Sequence, residues 1–166
     1  MGWYNSDGLY VKFGTEEGAS ATIGENKTFG PQREVEVILD LTTLTSTSAI
    51  LDYTQFIPSN AFIEAVEIET LTSATSGGSA TLSVGLYKSD TTTAISEVAF
   101  VSALAVATIG NAGTRLTLTL GSTGVGDKIG TTPAFPGLIS AKYGTAAFTA
   151  GRVAIRIRYN QGYKTI

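Results

Sequence analysis

Cysteine and histidine are both absent from the 166 residues, and charge is scarce. Without cysteine there is no disulfide, no thiolate metal site and no cysteine nucleophile. Without histidine the chain lacks the commonest general base near neutral pH and the commonest metal ligand. A Ser-His-Asp triad, a zinc hydrolase centre or histidine phosphate chemistry cannot be assembled, which leaves carboxylate-only or Ser-Lys chemistry. Charged residues make up 15% of the chain, against roughly 25% in an ordinary soluble domain. The net charge is −3, and basic side chains cluster only at Arg152, Arg156 and Arg158, so nucleic acid is an unlikely partner. Long apolar runs are missing too: the longest, 98–109, is too short to cross a bilayer, and no membrane association is expected. Residues 1–14 hold no basic region followed by an apolar run, which predicts no signal peptide and assembly in the cytoplasm.

What replaces charge is Ser and Thr, 39 residues together, with 19 Gly. Small polar side chains therefore do much of the work that Lys and Glu do on other surfaces. Such a surface is neutral and easily desolvated, which suits a protein buried in an assembly. A secreted domain or a disordered linker also carries such a composition, but 43% apolar content with recurring β-branched residues argues against disorder. The length is right for one domain with a real core.

Residues 1–34 read as an N-terminal arm, rich in Gly, Asn, Asp and Glu, with Trp3, Tyr4, Leu9, Tyr10 and Phe13 early in it. Leu9, Val11 and Phe13 alternate, as in a short strand. So aromatic a segment is expected to pack on its own domain or on a neighbour. Residues 35–166 read as the β-sandwich domain. Val35, Val37, Leu39 and Leu41 alternate with polar positions in the first strand. A second strand covers 62–71, with Phe62, Glu64, Val66, Ile68 and Thr70 on one face and Ile63, Ala65, Glu67, Glu69 and Leu71 on the other. Leu82, Val84 and Leu86 mark a half-buried strand, and Leu116, Leu118 and Leu120 another. The Ala- and Leu-containing stretch 96–105 is predicted as a short helix, capped by Ser96 with Glu97 in its first turn. In the last strand Val153, Ile155, Ile157 and Tyr159 face inward while Arg152, Ala154, Arg156 and Arg158 face outward. Short alternating strands between Gly/Ser/Pro turns predict an all-β, antiparallel β-sandwich.

Four constellations bear on chemistry. The segment 124–130 is Gly-rich but lacks both GxGxxG spacing and a GK[ST] ending, so it reads as a flexible hairpin loop rather than a phosphate cradle. Asp40, Glu64, Glu67 and Glu69 could serve Ca²⁺ or glycosidic acid–base work, but a solvated strand face needs nothing more to explain them and is the preferred reading. Arg152, Arg156 and Arg158 share one face and repel unless acids oppose them. Glu67 and Glu69 are the natural partners, within the sheet or across a subunit boundary, with packaged nucleic acid as a minor alternative. Trp3, Tyr4 and Tyr10 could stack on sugars or pack on a protein. No catalytic residue, metal or cofactor is expected; the candidate interface residues are the arm's Trp3, Tyr4, Leu9, Tyr10 and Phe13, with Glu67, Glu69, Arg152, Arg156 and Arg158. The Asn26-Lys27-Thr28 sequon means nothing without secretion.

The opening Gly2-Trp3-Tyr4-Asn5-Ser6-Asp7-Gly8-Leu9, with Val11-Lys12-Phe13-Gly14, resembles small virion proteins encoded near the capsid genes of marine and related tailed phages, podophage-like ones included. Val66-Glu67-Ile68-Glu69 and Leu82-Ser83-Val84-Gly85-Leu86-Tyr87 resemble the same group. The resemblance implies a head decoration or cement protein with a jelly-roll-like body, often a trimer, seated on the major capsid protein at the capsid surface. Its motifs are structural and carry no catalytic residue. The rival readings are a tail or neck adaptor, a host-recognition module that binds carbohydrate, and a carbohydrate-active enzyme. The last requires two carboxylates converging at roughly 5–10 Å.

Overall fold

The computed structural model describes residues 32–161 with their side chains and, before them, only the backbone of two short strands. Those strands, β1 (Trp3–Tyr4) and β2 (Tyr10–Val11), pair antiparallel, Trp3 opposite Val11 and Tyr4 opposite Tyr10. They belong to a first compact unit, Met1–Gly30; the second is Pro31–Ile166. Within the second unit β3 (Gln32–Asp40) begins three residues before the expected Val35.

The second unit is two antiparallel sheets. One holds β3, β11 (Phe148–Gln161), β6 (Ala61–Ser76) and β9 (Arg115–Leu118), in that order. The other runs β10 (Gly137–Gly144), β7 (Thr81–Lys88), β8 (Ala94–Ala105), with β4 (Ala49–Ile50) and β5 (Phe56–Ile57) sharing the outer side of β10. The chain keeps crossing between them: β3 in the first, β4 and β5 in the second, β6 in the first, β7 and β8 in the second, then β9, β10 and β11 by turns. The alternation read from the sequence supplies the core. Val35, Val37, Leu39, Val66, Ile68, Val153, Ile155 and Ile157 from the first sheet meet Leu82, Val84, Leu86, Phe100, Leu104 and Ile139 from the second. An all-β sandwich is therefore the observed fold, and among the described residues no helix is long and apolar enough to cross a membrane.

The short helix lies elsewhere than expected. Residues 96–105 fall inside β8, and the helical turn is α1 (Val106–Ile109), immediately after it. Helix propensity loses here because Ala99, Phe100 and Val101 are all buried, in a strand enclosed on both sides. Ser96 Oγ accepts from the amide of Val98 at 3.2 Å, a local bend contact rather than a helix cap. β8 also arches: Val84 pairs with Val101 and Leu86 with Ser96, so β8 advances five residues where β7 advances two. The arch passes over Gly85, where a Cβ would lie 2.7 Å from the carbonyl oxygens of both Ser96 and Glu97.

A smaller irregularity changes the faces of β6. Arg158 pairs with Ala65 and Tyr159 with Ile63, leaving Glu64 as an extra residue. The bulge flips the phase, so Ile63 is buried and Phe62 is exposed, the reverse of strict alternation from 62 to 71. Strand β9 ends at Leu118, and Leu120, expected inward, is 78% exposed.

The Gly-rich stretch before β10 is not a free hairpin. The amides of Gly126, Asp127 and Lys128 donate to Phe100, Val98 and Ala99 at 3.0–3.1 Å, and Gly124 O accepts from Ser102, which covers the open edge of β8. Further on, Gly130 and Thr131 pair with Ile63, and Pro133 O accepts from the amide of Asn60, continuing along β6 past the end of β9. A Cβ on Gly126 would collide with the backbone of Ala99 and Phe100, whereas one on Gly77 meets nothing within 4 Å. Gly126→Ala is therefore expected to lower unfolding stability by about 1–3 kcal/mol, and Gly77→Ala to leave it within about 0.5 kcal/mol. Urea denaturation of both variants checks this, and equal midpoints would show that the loop does not hold the β8 edge.

Candidate assembly surfaces

β11 is the centre of the first sheet, and its outward positions form a row between two acidic strands. Arg152, Arg156 and Arg158 stand opposite Asp40, Glu36 and Glu34 of β3; on the other side Arg156 stands opposite Glu67, and Glu69 lies beside Ala154. Arg156 donates through Nε to Glu36 (2.6 Å) and through one terminal nitrogen to Glu67 (3.3 Å) and Glu69 (2.8 Å). Arg158 bridges Glu34 (3.1 Å) and Glu67 (2.6 Å), and Arg115 of β9 reaches Glu69 at 2.8 Å. The Glu64 bulge brings that carboxylate to the same face, where Gln32 (2.7 Å) and Asn160 donate to it. The side chains of Glu67 and Glu69 keep only 15% and 18% of their exposure.

The electrostatic consequence is a neutralised ladder. Donation from Arg156 and then from Arg115 holds the Glu69 carboxyl below its ordinary value, and the same bonds, Glu69 first and Glu36 second, hold Arg156 still more firmly protonated. The oxygens that a metal or a sugar would need are taken by guanidinium groups, and among the described residues no acidic cluster is arranged to hold a metal. Arg156 and Arg158 thus have acidic partners within the sheet, whereas Arg152 stands opposite Asp40 without an ion pair among the described residues. Of the arm candidates, Trp3, Tyr4 and Tyr10 lie on the paired strands β1 and β2, while Leu9 and Phe13 lie outside the described residues.

The two ends of the sandwich differ. Around 41–48, 77–80, 106–114 and 145–147 the turns are built of Thr, Ser, Ala and Gly with few larger side chains. At the opposite end Phe56 (55%), Phe135 (53%) and Leu120 stand exposed, and Phe62, near the start of β6, is exposed as well. Lys88 and Ile95 with the 128–135 segment enclose a groove of about 460 Å³ there, lined also by Thr93, Ala94 and Lys128. Lys88 closes β7 in the same phase as Leu86, so its stem follows the core outward and its amine rests 4.2 Å over the Phe135 ring. Near this end Asp90 is locked into its turn: the Thr93 hydroxyl and the amides of Thr93 and Thr92 donate to it and bring its carboxyl from 3.8 to about 2.

Sequence reasoning missed this groove. The available signal was Phe135 between Pro133 and Pro136: a large apolar residue in a loop whose two prolines limit its conformational freedom.

No protein-family description matches the sequence, and no curated protein matches it either. Among solved structures the fold is similar to a chain of the cyanophage Pam1 capsid asymmetric unit, with TM-score 0.51 and 16% identity over 92% of this chain and 100% of that one. It is also similar to a chain in the capsid of Ralstonia phage GP4, with TM-score 0.50 and 19% identity over 80% and 84%. A chain of the acidic stable capsid structure of Helicobacter pylori bacteriophage KHP30 gives TM-score 0.50 and 13% identity over 78% and 87%.

Arg156→Gln removes the cation shared by Glu36, Glu67 and Glu69 and is expected to lower the urea midpoint at neutral pH. A carboxyl lowered in the folded state contributes stability that is present above its unfolded value, here 4.5, and lost as pH falls through the folded value. The wild-type midpoint should therefore drop on acidification below 4.5, and the gap between wild type and variant should narrow. Midpoints measured from neutral pH into the acid range check this; a gap independent of pH would assign the loss to packing of the arginine stem.

Proposed function

We propose that the chain is a structural, non-catalytic virion protein that binds and stabilises a phage capsid lattice, as a head decoration or cement protein seated on the major capsid protein. The supporting observation is the shared fold with chains from three phage capsid structures, one of them matched along its whole length. Strand order agrees with this reading. Counting β4 and β5 as one interrupted strand, eight strand positions follow the order 1-8-3-6 in one sheet and 2-7-4-5 in the other, the double Greek key of a jelly roll. The surface agrees as well, because Ser and Thr lose little on desolvation where Lys and Glu lose much.

Attachment then needs no chemistry. Identical weak contacts repeated on one lattice act at high effective concentration, so modest affinity per site gives firm occupancy. With no cysteine, no disulfide joins the chain to its partner, and packing, hydrogen bonds and ion pairs are the contacts this reading uses.

Electron cryomicroscopy of the intact particle, with the chain identified by its fold in the density, tests the proposal. Regular density over the capsid shell is expected. Density confined to the neck or tail would replace the decoration reading with the adaptor or host-recognition one, and absence from purified particles would reject a virion role.

A further inference from the structure

From the groove at the Phe56–Phe135 end we infer a docking site for an acidic peptide segment of the partner protein, one in which a carboxylate lies beside a branched aliphatic side chain. The inference rests on the assembly reading and specifies its chemistry. Lys88 and Lys128 are the charged residues that line the groove, and no carboxylate lines it, in a chain whose net charge is −3. Lys88 has no carboxylate within ion-pair distance among the described residues; its amine rests on the Phe135 ring. Lys128 has Asp127 at 3.6 Å, longer than a hydrogen bond, so both amines retain donors for an incoming anion. The neighbouring Asp90 feels the charge of Lys88 but forms no ion pair with it, and its carboxylate is held in its own turn by Thr92 and Thr93.

Ile95, Pro133 and Phe135 form the apolar wall beside these cations. The volume suits one or two side chains, and the wall stands on backbone already fixed: Pro133 O accepts from Asn60, and the Lys128 amide donates to Ala99. Little ordering entropy is then lost on binding. An acidic glycan is the other anion to weigh. Sugar sites present a free aromatic face and planar carboxylate or amide groups that bridge neighbouring hydroxyls. Here a lysine amine stands over the Phe135 ring, and the lining holds no Asp, Glu, Asn or Gln. Peptide chemistry fits the lining better.

The test uses the full chain, isotopically labelled, titrated by amide NMR with a short acetylated and amidated peptide that alternates glutamate and leucine. Parallel titrations use the same peptide with lysine for glutamate, and an oligogalacturonate. The expected result is saturable shifts confined to residues 88–95 and 128–135 with the acidic peptide alone. Affinity should weaken roughly tenfold or more, about 1.4 kcal/mol per decade, in Lys88→Glu/Lys128→Glu, and fall with added salt. Should that variant lose its native spectrum, Lys88→Gln/Lys128→Gln reads the same loss. Absence of binding, shifts elsewhere, unchanged affinity in a folded variant, or a response to the oligogalacturonate in place of the peptide would each overturn the inference. The titration needs no particle. Its failure with a chain that still decorates heads rejects the groove alone, whereas peptide binding by a chain absent from particles rejects the virion reading.

Discussion

The period-two alternation of β11 is the constraint on which the rest of the structure depends. This strand pairs with β3 on one side and β6 on the other, and its residues Val153, Ile155 and Ile157 are wholly buried against the second sheet. Every residue that fills the core from β11 fixes its neighbour on the outer face, so a register that buries the aliphatics must also project Arg152, Arg156 and Arg158. A slip by one residue would bury three guanidinium groups and expose three aliphatics. The acids of β3 and β6 then complete a pattern in which only one register satisfies both the core and the outer face. The ion pairs add modestly to stability where they are exposed, and their greater contribution is to make the wrong registers worse.

The same reasoning separates what was legible in the sequence from what was not. Strands β3 and β11 were legible because one face is largely buried and the other is not, and β7, buried on both faces over 82–86, was legible because Ser83 and Gly85 alternate with Leu82, Val84 and Leu86. The Arg152/Arg156/Arg158 face and its Glu67 and Glu69 partners followed from the same periodicity. β8 was misread as helix because Ala99, Phe100 and Val101 are buried in succession and the strand arches away from β7 between Val101 and Ser96, so no regular alternation runs through it. The faces of β6 were misread because one bulged residue, Glu64, shifts the phase midway, and nothing local in Ile63-Glu64-Ala65 announces a bulge that depends on the partner strand. Strands β4 and β5 are two residues each and β10 is buried along most of its length, so none of the three leaves a periodic trace.

Loops carried less signal still. Gly126 looked like flexibility in the sequence, yet its lack of a side chain lets the loop come against the Ala99 backbone. The glycine there serves close approach rather than motion. That contact settles the path of 124–135: once held to β8 and then to β6, the segment delivers Lys128, Pro133 and Phe135 to the open end of the core. The groove is thus a consequence of long-range backbone pairing, which explains why its residues did not stand out as a motif.

A chain with so few charges must place them with care, and the two surfaces use them in opposite ways. On the outer face of the first sheet each carboxylate has a guanidinium or amide donor within the same chain, so an incoming partner would have to break bonds already made. At the Phe56–Phe135 end the lysines are held by an aromatic ring and by apolar stems instead, and exposed apolar side chains stand around them. Removing water from that end gains apolar contact and leaves the amines with donors for a new acceptor. Removing it from the ladder gains apolar contact at Ile38 but mostly isolates ion pairs already made within the sheet. Desolvation therefore favours contact through the end of the sandwich over contact through the ladder of the first sheet, and it does so before any partner is specified.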